Sequence, residues 1–167
     1  INNNFKICNY WKINNFQNLD IDYNTAKSEL EELLYDSVKL RLRSDVPFGA
    51  FLSGGLDSSA LVALASKQLN SPLNTYTVKF EGKLGKDNYY ANKVQKLYKT
   101  CHKELILTHE EFVKSSNELL QIIDEPIADS AIVPAYWLSK MARKDGIKVL
   151  LNGAGGDEIF AGYSRHH

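Results

Sequence analysis

The sequence has few cysteines, no excess of charge of either sign and no long apolar run. Cys8 and Cys101 share no CxxC or histidine spacing, which argues against a disulfide framework and favours a reducing compartment. Lys plus Arg and Asp plus Glu number 20 each, so no net field draws the chain to nucleic acid or an anionic membrane. No segment approaches the roughly 18 apolar residues of a membrane span, and no signal pattern opens the chain. A cytoplasmic location is therefore expected.

Two widespread nucleotide motifs are also absent. The Walker pattern GxxxxGK[ST] does not occur, and no GxGxxG follows a predicted strand, which argues against kinase-type γ-phosphate transfer and against dinucleotide binding. Because the net charge is zero, any phosphate binding must be local. The composition, 44% hydrophobic and 24% charged over 167 residues, is that of an ordinary globular domain with one core.

Short apolar runs alternate with helical patterns along the chain. Apolar spacing from Thr25 through Leu30, Leu33, Leu34, Val38 and Leu42 predicts a core-facing amphipathic helix. Strands are predicted at 46–52, 75–80, 104–107 and 148–151. Four more helices are predicted: one after residue 59, one from Asp87, one after a capping box at 108–111, and one from Pro134 to Gly146. This order predicts an open, mainly parallel α/β sheet with helices on both faces. Ligands of such sheets bind beyond the carboxyl ends of the strands.

A glycine-containing loop, Leu52-Ser-Gly-Gly-Leu-Asp-Ser-Ser59, joins the first strand to its helix. Its glycines, Gly54 and Gly55, let the backbone approach an anion, and the helix that follows offers free amides. Asp57 would repel bare phosphate, so a bridging Mg²⁺ with Asp57 as ligand is the expected companion. The plain alternative is a turn in which Asp or Ser caps the helix. Further hydroxyl donors come from Ser53, Ser58 and Ser59.

A second glycine-rich turn follows the last predicted strand, in the run Asn152-Gly-Ala-Gly-Gly-Asp-Glu-Ile-Phe-Ala-Gly-Tyr163. Its glycines would let the turn pass close to a nucleotide, and Asp157 could share a Mg²⁺ with Asp57. The alternative is that Asp157 caps a helix whose Ile159 and Phe160 enter the core.

These two motifs carry a family resemblance. The first resembles the SGGxDS loop of ATP pyrophosphatases, which cleave ATP between its α- and β-phosphates, and alone it would also suit NAD, GMP or argininosuccinate synthetases. The second is similar to the asparagine-synthetase signature. Segments 41–47, 124–130 and 10–13 also resemble that family. The resemblance implies an adenine nucleotide alpha hydrolase-like fold, with 1–24 as an interdomain linker and start of the domain, and 25–167 as a C-terminally incomplete synthetase domain.

The resemblance implies a two-step reaction. A carboxylate attacks the α-phosphorus of ATP to give an acyl-adenylate and pyrophosphate, and ammonia then displaces AMP to form an amide. Asp57 and Asp157 would be the catalytic and Mg²⁺-binding residues. The ATP and pyrophosphate site would comprise Leu52, Ser53, Gly54, Gly55, Leu56, Asp57, Ser58, Ser59, Val78, Asn152 and Gly153. The acceptor carboxylate would meet Asp124, Glu125, Asp129, Gly155, Gly156 and Glu158. The alternative for the first three is that they are solvated loop charges around Pro126.

The resemblance further implies a glutaminase domain upstream that supplies ammonia from glutamine, and a possible homodimer. One departure concerns the acceptor, because asparagine synthetases usually carry Glu where this chain has Ala154. Aspartate is the first expected acceptor, with another carboxylate, on a sugar or natural-product precursor or in β-lactam closure, as the second. Two different functions stay open, a non-catalytic nucleotide-binding module and an RNA-thiolating enzyme. Zero net charge disfavours the RNA enzyme.

Overall fold

The computed structural model describes residues 6–12, 20–82, 86–125, 127–160 and 162–163, so the start of the predicted linker (1–5), its middle (13–19) and residues 164–167 lie outside the described residues. Strands and helices alternate within the described part. The strands are β1 (Phe48–Phe51), β2 (Asn74–Phe80), β3 (Cys101–Leu107) and β4 (Val149–Leu151). The helices are α1 (Tyr23–Arg41), α2 (Leu56–Gln68), α3 (Lys86–Tyr98), α4 (His109–Leu119), α5 (Ile132–Lys144) and α6 (Gly156–Phe160).

The four strands form one parallel sheet in the order β3-β2-β1-β4. Gly49 of β1 pairs with Asn74 on one side and with Leu150 on the other. After β1 the chain moves to β2 and then β3 in one direction, whereas β4 lies on the opposite side of β1. The strand order therefore reverses between β1 and β4, and the loops that follow these two strands begin side by side. Parallel α/β sheets bind ligands at such a switch point.

Helices cover both faces of the sheet, and the predicted fold class is confirmed. One face carries α1, α2 and α3, and the other carries α4 and α5. The first core consists of Val38, Ala50, Leu52, Val62, Ala65, Leu73 and Ala91. The second face holds two clusters, Tyr76, Leu138, Ala142 and Ile147, and Leu107, Leu119 and Val133.

Local signals locate several helix ends. Thr108 caps α4 as predicted: its hydroxyl oxygen accepts from the Glu111 amide at 3.2 Å, and the Glu111 carboxylate accepts from the Thr108 amide at 2.9 Å. Pro134 lies in the first turn of α5, where its missing amide hydrogen breaks no helical bond. Asp22 caps α1, which begins two residues before the predicted Thr25.

The predicted core-facing stripe of α1 is wrong for most of its length. Leu33 is 69% exposed and Leu30 is 40% exposed, whereas Val38 is buried and Leu42 packs against the core. Only the C-terminal part of α1 reaches the core within the described residues, because the helix lies against α2 rather than on the sheet. No described helix is long and apolar enough to cross a bilayer.

Candidate functional site

The loop after β1 is anchored to the neighbouring strand. The Leu52 amide donates to the Tyr76 carbonyl at 2.9 Å, and the Thr77 hydroxyl donates to the Leu52 carbonyl. Leu52 is fully buried in the core beneath the loop. The strand end is thus held firmly, and the chain turns away from the sheet only at Ser53.

Hydroxyl groups organise the turn itself. Ser53 Oγ lies 2.8 Å from Ser58 Oγ and accepts from the Gly55 amide at 3.2 Å, while Ser58 Oγ donates to the Gly55 carbonyl at 3.2 Å. Gly54 has φ +90°, a conformation that residues with a Cβ rarely adopt. The glycines and serines predicted to hold phosphate therefore form one compact turn.

No side chain caps α2. Its N-cap is Gly55, which offers no side-chain acceptor, and Asp57 lies inside the first helical turn. The alternative in which Asp or Ser caps this helix is therefore wrong. At a helix N-terminus without a side-chain cap, the first backbone amides have no acceptor within the helix, so they can donate hydrogen bonds to an anion.

The second glycine-rich turn packs directly on this loop. A Cβ atom on Gly153 would lie 2.9 Å from both Asp57 Cβ and the Ser58 amide nitrogen, closer than real Cβ atoms approach. A Cβ atom on Gly156 would overlap the Asp57 carboxylate. The two motifs are about a hundred positions apart in sequence, and the β1–β4 pairing brings them into contact at Asp57.

Glu158 stabilises the second turn. Its carboxylate accepts from the Gly155 amide at 3.0 Å and from the Tyr163 hydroxyl at 2.7 Å. Asn152 Oδ1 accepts from the Ala154 amide at 3.0 Å. Glu158 was predicted to contact the acceptor and Asn152 to contact ATP; what the structure shows is that both side chains hold the turn in shape.

Asp157 lies in the first turn of the short helix α6, next to the Gly156 that contacts Asp57. A Cβ atom on Gly162 would overlap the Asp157 carboxylate. The alternative in which α6 inserts Ile159 and Phe160 into the core is wrong, since these side chains are 76% and 53% exposed. Core packing therefore does not explain this helix.

A cavity of about 420 Å³ adjoins the first loop. It lies beyond the carboxyl ends of β1 and β2, beside the beginnings of α3 and α5. Leu52, Ser53 and Val78, three predicted nucleotide contacts, line it. Lining residues that the sequence did not single out are Phe51, Tyr76, Thr77, Lys79, Phe80, Asn88, Ala131, Pro134, Ala135 and Leu138.

The predicted acceptor residues 124–130 lie on an exposed loop, and Pro126 is outside the described residues. Asp129 Oδ1 accepts from the amide of Ala131, which lines the cavity, at 2.9 Å. Asp124 and Glu125 are exposed and do not line the cavity. The structure therefore brings Asp129 nearest to the cavity and leaves Asp124 and Glu125 at the surface.

A second, larger cavity of about 840 Å³ lies along the edge of the sheet between β4 and α5. Arg143, Ile147 and Lys148 are among its lining residues. None of the predicted site residues lines it. The smaller cavity is the better candidate because it adjoins the loop that carries the hydroxyls and the helix N-terminus.

A group of polar side chains lies on the α3 side of β2 and β3. Lys79 Nζ donates to Glu104 at 2.6 Å, His102 Nε2 lies 3.4 Å from Glu104, and His102 Nδ1 lies 2.9 Å from the Thr75 hydroxyl. Burial lowers the pKa of His102, although the nearby Glu104 charge opposes that shift. Burial tends to raise the pKa of Glu104, but the combined effect of Lys79 and His102 lowers it further, so the net shift is downward.

Asp57 and Asp157, in the first turns of α2 and α6, are the carboxylates that could bind a metal ion together with the substrate. Within the described part of the chain, no three His, Cys, Asp or Glu side chains form a cluster that could hold a metal by themselves. Mg²⁺ usually binds one or two carboxylates together with substrate phosphates and water. Asp57 contacts Gly156, the residue before Asp157, so the two carboxylates lie on adjoining turns and fit that kind of incomplete site.

The sequence of this domain matches a known family. A sequence model described as asparagine synthase matches residues 29–167. The chain belongs to the asparagine synthase family. Asparagine synthetase 1 of Bacillus subtilis is 34% identical over 161 residues, covering 93% of this chain and 24% of the relative. A Methanocaldococcus jannaschii protein provisionally named asparagine synthetase 2 is 40% identical over 158 residues, covering 94% and 30%.

Asparagine synthetase B of Escherichia coli is 35% identical over 158 residues, covering 86% of this asparagine synthase-family chain and 28% of the relative. The chain thus spans about a quarter to a third of these curated relatives. Solved structures support the fold. The NH3-dependent NAD synthetase of Campylobacter jejuni has a TM-score of 0.53 at 15% identity, covering 86% of this chain and 62% of that one. The U34-tRNA thiolase NcsA of Methanococcus maripaludis has a TM-score of 0.56 at 18% identity, covering 83% and 53%.

Proposed function

We propose that this domain binds ATP with Mg²⁺ and adenylates a carboxylate, releasing pyrophosphate. In the full-length protein, ammonia released from glutamine by an upstream glutaminase domain would then displace AMP to form an amide. Aspartate is the proposed acceptor and asparagine the product. The single observation that carries the proposal is the contact of the two glycine motifs at Asp57, beside an uncapped helix N-terminus.

The chemistry of the first step suits this geometry. When pyrophosphate leaves, negative charge grows on its oxygens, and donors already aimed at that position lower the barrier. Ser53, Ser58 and the first-turn amides of α2 are fixed by the turn before any ligand arrives. Mg²⁺, when bound, would supply positive charge that neutralises the phosphates. Asp57 and Asp157 would hold it.

The adenosine part of ATP would occupy the part of the 420 Å³ cavity between Leu52 and Val78, and the phosphates would extend to its side near Ser53. Both residues line this cavity on adjacent parallel strands, so they would contact the base from the floor of the cavity. Gly153 would lie near the ribose or phosphates, because its backbone is in contact with the first turn of α2.

Two observations bear on which carboxylate is the acceptor. The family relatives named as asparagine synthetases support aspartate. Ala154, at the tip of the second turn, favours the second candidate, an amidotransferase that acts on another carboxylate, because an alanine side chain offers no carboxylate to assist the amide step. Asp129, on the loop beside the cavity, is the proposed acceptor-selecting residue.

The test is pyrophosphate release from ATP and Mg²⁺ by the full-length protein, with aspartate and then a panel of carboxylates, with and without glutamine. Aspartate-dependent pyrophosphate with asparagine as product would support the main proposal. Release only with a different carboxylate would support the second candidate. ATP binding without release under any condition would contradict both and leave a nucleotide-binding module. Sedimentation of the same preparation tests the proposed homodimer.

A further inference from the structure

Lys79 is the one charged residue among the described residues that line the cavity beside the first loop. Its side chain is 17% exposed, which is low for a lysine, and its ammonium donates to Glu104 at 2.6 Å. A lysine ammonium has three hydrogens. Glu104 accepts one of them, so further donors remain available to a ligand in the cavity.

The register of the sheet places Lys79 close to the level of the glycine loop. Phe51 pairs with Tyr76, and the Thr77 hydroxyl reaches the Leu52 carbonyl. Side chains two positions apart on a strand share one face and are separated by about 7 Å. Lys79 therefore follows Thr77 on the same face. It lies at the carboxyl end of the strands, where the chain after Leu52 turns into the hydroxyl-rich loop.

The carboxylate that pairs with Lys79 lies beside a largely buried histidine. Glu104 lies 3.4 Å from His102, and His102 Nδ1 lies 2.9 Å from Thr75, whose hydroxyl also lies 2.8 Å from that of Thr100. His102 is largely buried. Neither Glu104 nor His102 lines the cavity, and the hydrogen bond to Glu104 orients the lysine ammonium.

We propose that Lys79 contacts the phosphate chain of bound ATP and the leaving pyrophosphate, and that Glu104 is its positioning residue. The proposal rests on the proposed function of the same site and adds a cation to it. The glycine loop offers neutral donors and Asp57 is negative, so the described part of the site has no other fixed positive charge along the cavity. Lysine binds phosphate as a point charge, and a charge-assisted hydrogen bond is stronger than a neutral one.

The test is direct binding of ATP, inorganic pyrophosphate and adenosine to the full-length protein and its variants. We expect K79M to weaken ATP and pyrophosphate binding by roughly tenfold or more, the usual effect of losing one hydrogen bond to a charged group. Adenosine binding should stay unchanged, because it lacks phosphate. K79R should retain most of the affinity.

The matched control is K103M. Lys103 is also ion-paired on this sheet, with Asp145 at 2.5 Å, but it lies on the opposite face of β3 from Glu104 and does not line the cavity. Its substitution should leave the binding of all three ligands unchanged. Loss of ATP and adenosine binding together in K79M, or unchanged ATP binding, would overturn the proposal for Lys79.

The positioning role of Glu104 is tested by a double-mutant cycle. E104Q alone should weaken ATP binding by less than K79M, because the lysine keeps its charge but loses its fixed position. In the K79M background, E104Q should have no further effect on ATP binding, whereas independent contributions would add. Additive losses would overturn the positioning role. A wild-type protein that binds neither ATP nor pyrophosphate would overturn the proposed function as well, which separates the two failures.

Discussion

Gly156 lies so close to Asp57 that a single methyl group on the glycine would occupy the space of the carboxylate. This contact joins the turn after β4 to the first turn of α2. We predict that G156A displaces the Asp57 side chain and lowers ATP-dependent pyrophosphate release at least tenfold, because misplacing one phosphate or metal contact reduces the precision of the site. Steady-state pyrophosphate release by the full-length protein measures this effect.

The control for that substitution is G146A. Gly146 has a positive φ of 77° and no atom within 4 Å of an added Cβ, so the change strains the backbone without filling any space. It should cost about 1 kcal/mol of stability and leave the rate unchanged. An equal loss of activity in both variants would show that the Asp57 contact has no special role.

Asp57 itself can be tested without changing its volume. D57N keeps the shape of the side chain and removes its charge, so Mg²⁺ held by this carboxylate should bind more weakly. We predict that D57N needs a higher Mg²⁺ concentration for half-maximal pyrophosphate release and loses activity roughly a hundredfold. The exposed Asp36 on α1 provides the comparison, since D36N changes the net charge equally. A normal Mg²⁺ dependence in D57N would contradict its assignment as a metal ligand.

A buried serine supports the helix pair α4 and α5. Ser115 is 2% exposed, and its hydroxyl accepts from Trp137 Nε1 at 2.7 Å while donating to the Glu111 carbonyl at 2.5 Å. We predict that S115A lowers the free energy of unfolding by about 1–3 kcal/mol, because the partly buried indole N–H loses its acceptor. Denaturant unfolding followed by tryptophan fluorescence measures it.

The neighbouring Ser116 serves as the comparison for Ser115. Its hydroxyl donates to the Phe112 carbonyl at 2.9 Å, which is a bond within α4, and no side chain of α5 depends on it. S116A therefore leaves no buried donor without a partner and should change stability by less than half as much. Equal effects of the two substitutions would argue against the role of the indole bond.

Stability should fall as the pH falls below 6.5. Burial is the main cause that lowers the pKa of His102 from its ordinary 6.5. As the pH falls, the unfolded chain therefore binds a proton at this histidine before the folded chain does. This contribution is present above pH 6.5 and is lost as the pH drops through the lower folded-state value. Glu104 and Asp145, whose pKa values lie below 4.5 and 3.8, titrate at more acid pH.

The variant H102N separates this contribution from the acidic groups. Between pH 7 and pH 5 its free energy of unfolding should decline less steeply than that of the wild type, measured by urea denaturation at each pH. Parallel curves for the two proteins would show that His102 does not cause the decline.

Much of the fold was predictable because local signals and strand order point the same way. The capping box at Thr108 and the apolar runs located the strands and helices, and the parallel order followed from their alternation. The sequence predicted that Asp57 and Asp157 share a Mg²⁺, but it did not predict the contact of Asp57 with Gly156. Which atoms meet there depends on the pairing of β1 with β4. The exposed Leu33 was mispredicted because periodicity shows which residues share a helix face, and does not show what covers that face.

Lys79 and Glu104 illustrate what the sequence could not supply. Nothing in the spacing of these residues marks a pair, because a lysine and a glutamate on different strands become neighbours only through the β2–β3 register, in which Thr77 lies opposite Glu104. The alternation of side chains along β2 does place Lys79 on the face of Thr77. With the register known, that alternation would have identified a lysine beside the loop.

The position of β1 in the middle of the sheet also bears on the order in which the domain folds. Phe51 pairs with the nearby Tyr76, but Phe48 pairs with Val149 across most of the chain. Closing the longer loop costs more chain entropy and slows contacts that depend on it. We therefore expect the hydroxyl turn and α2 to form with the early β1–β2 unit, and Asp57 to meet Gly156 only when β4 docks at the end of folding. A refolding intermediate would then possess the serine turn but lack the completed site.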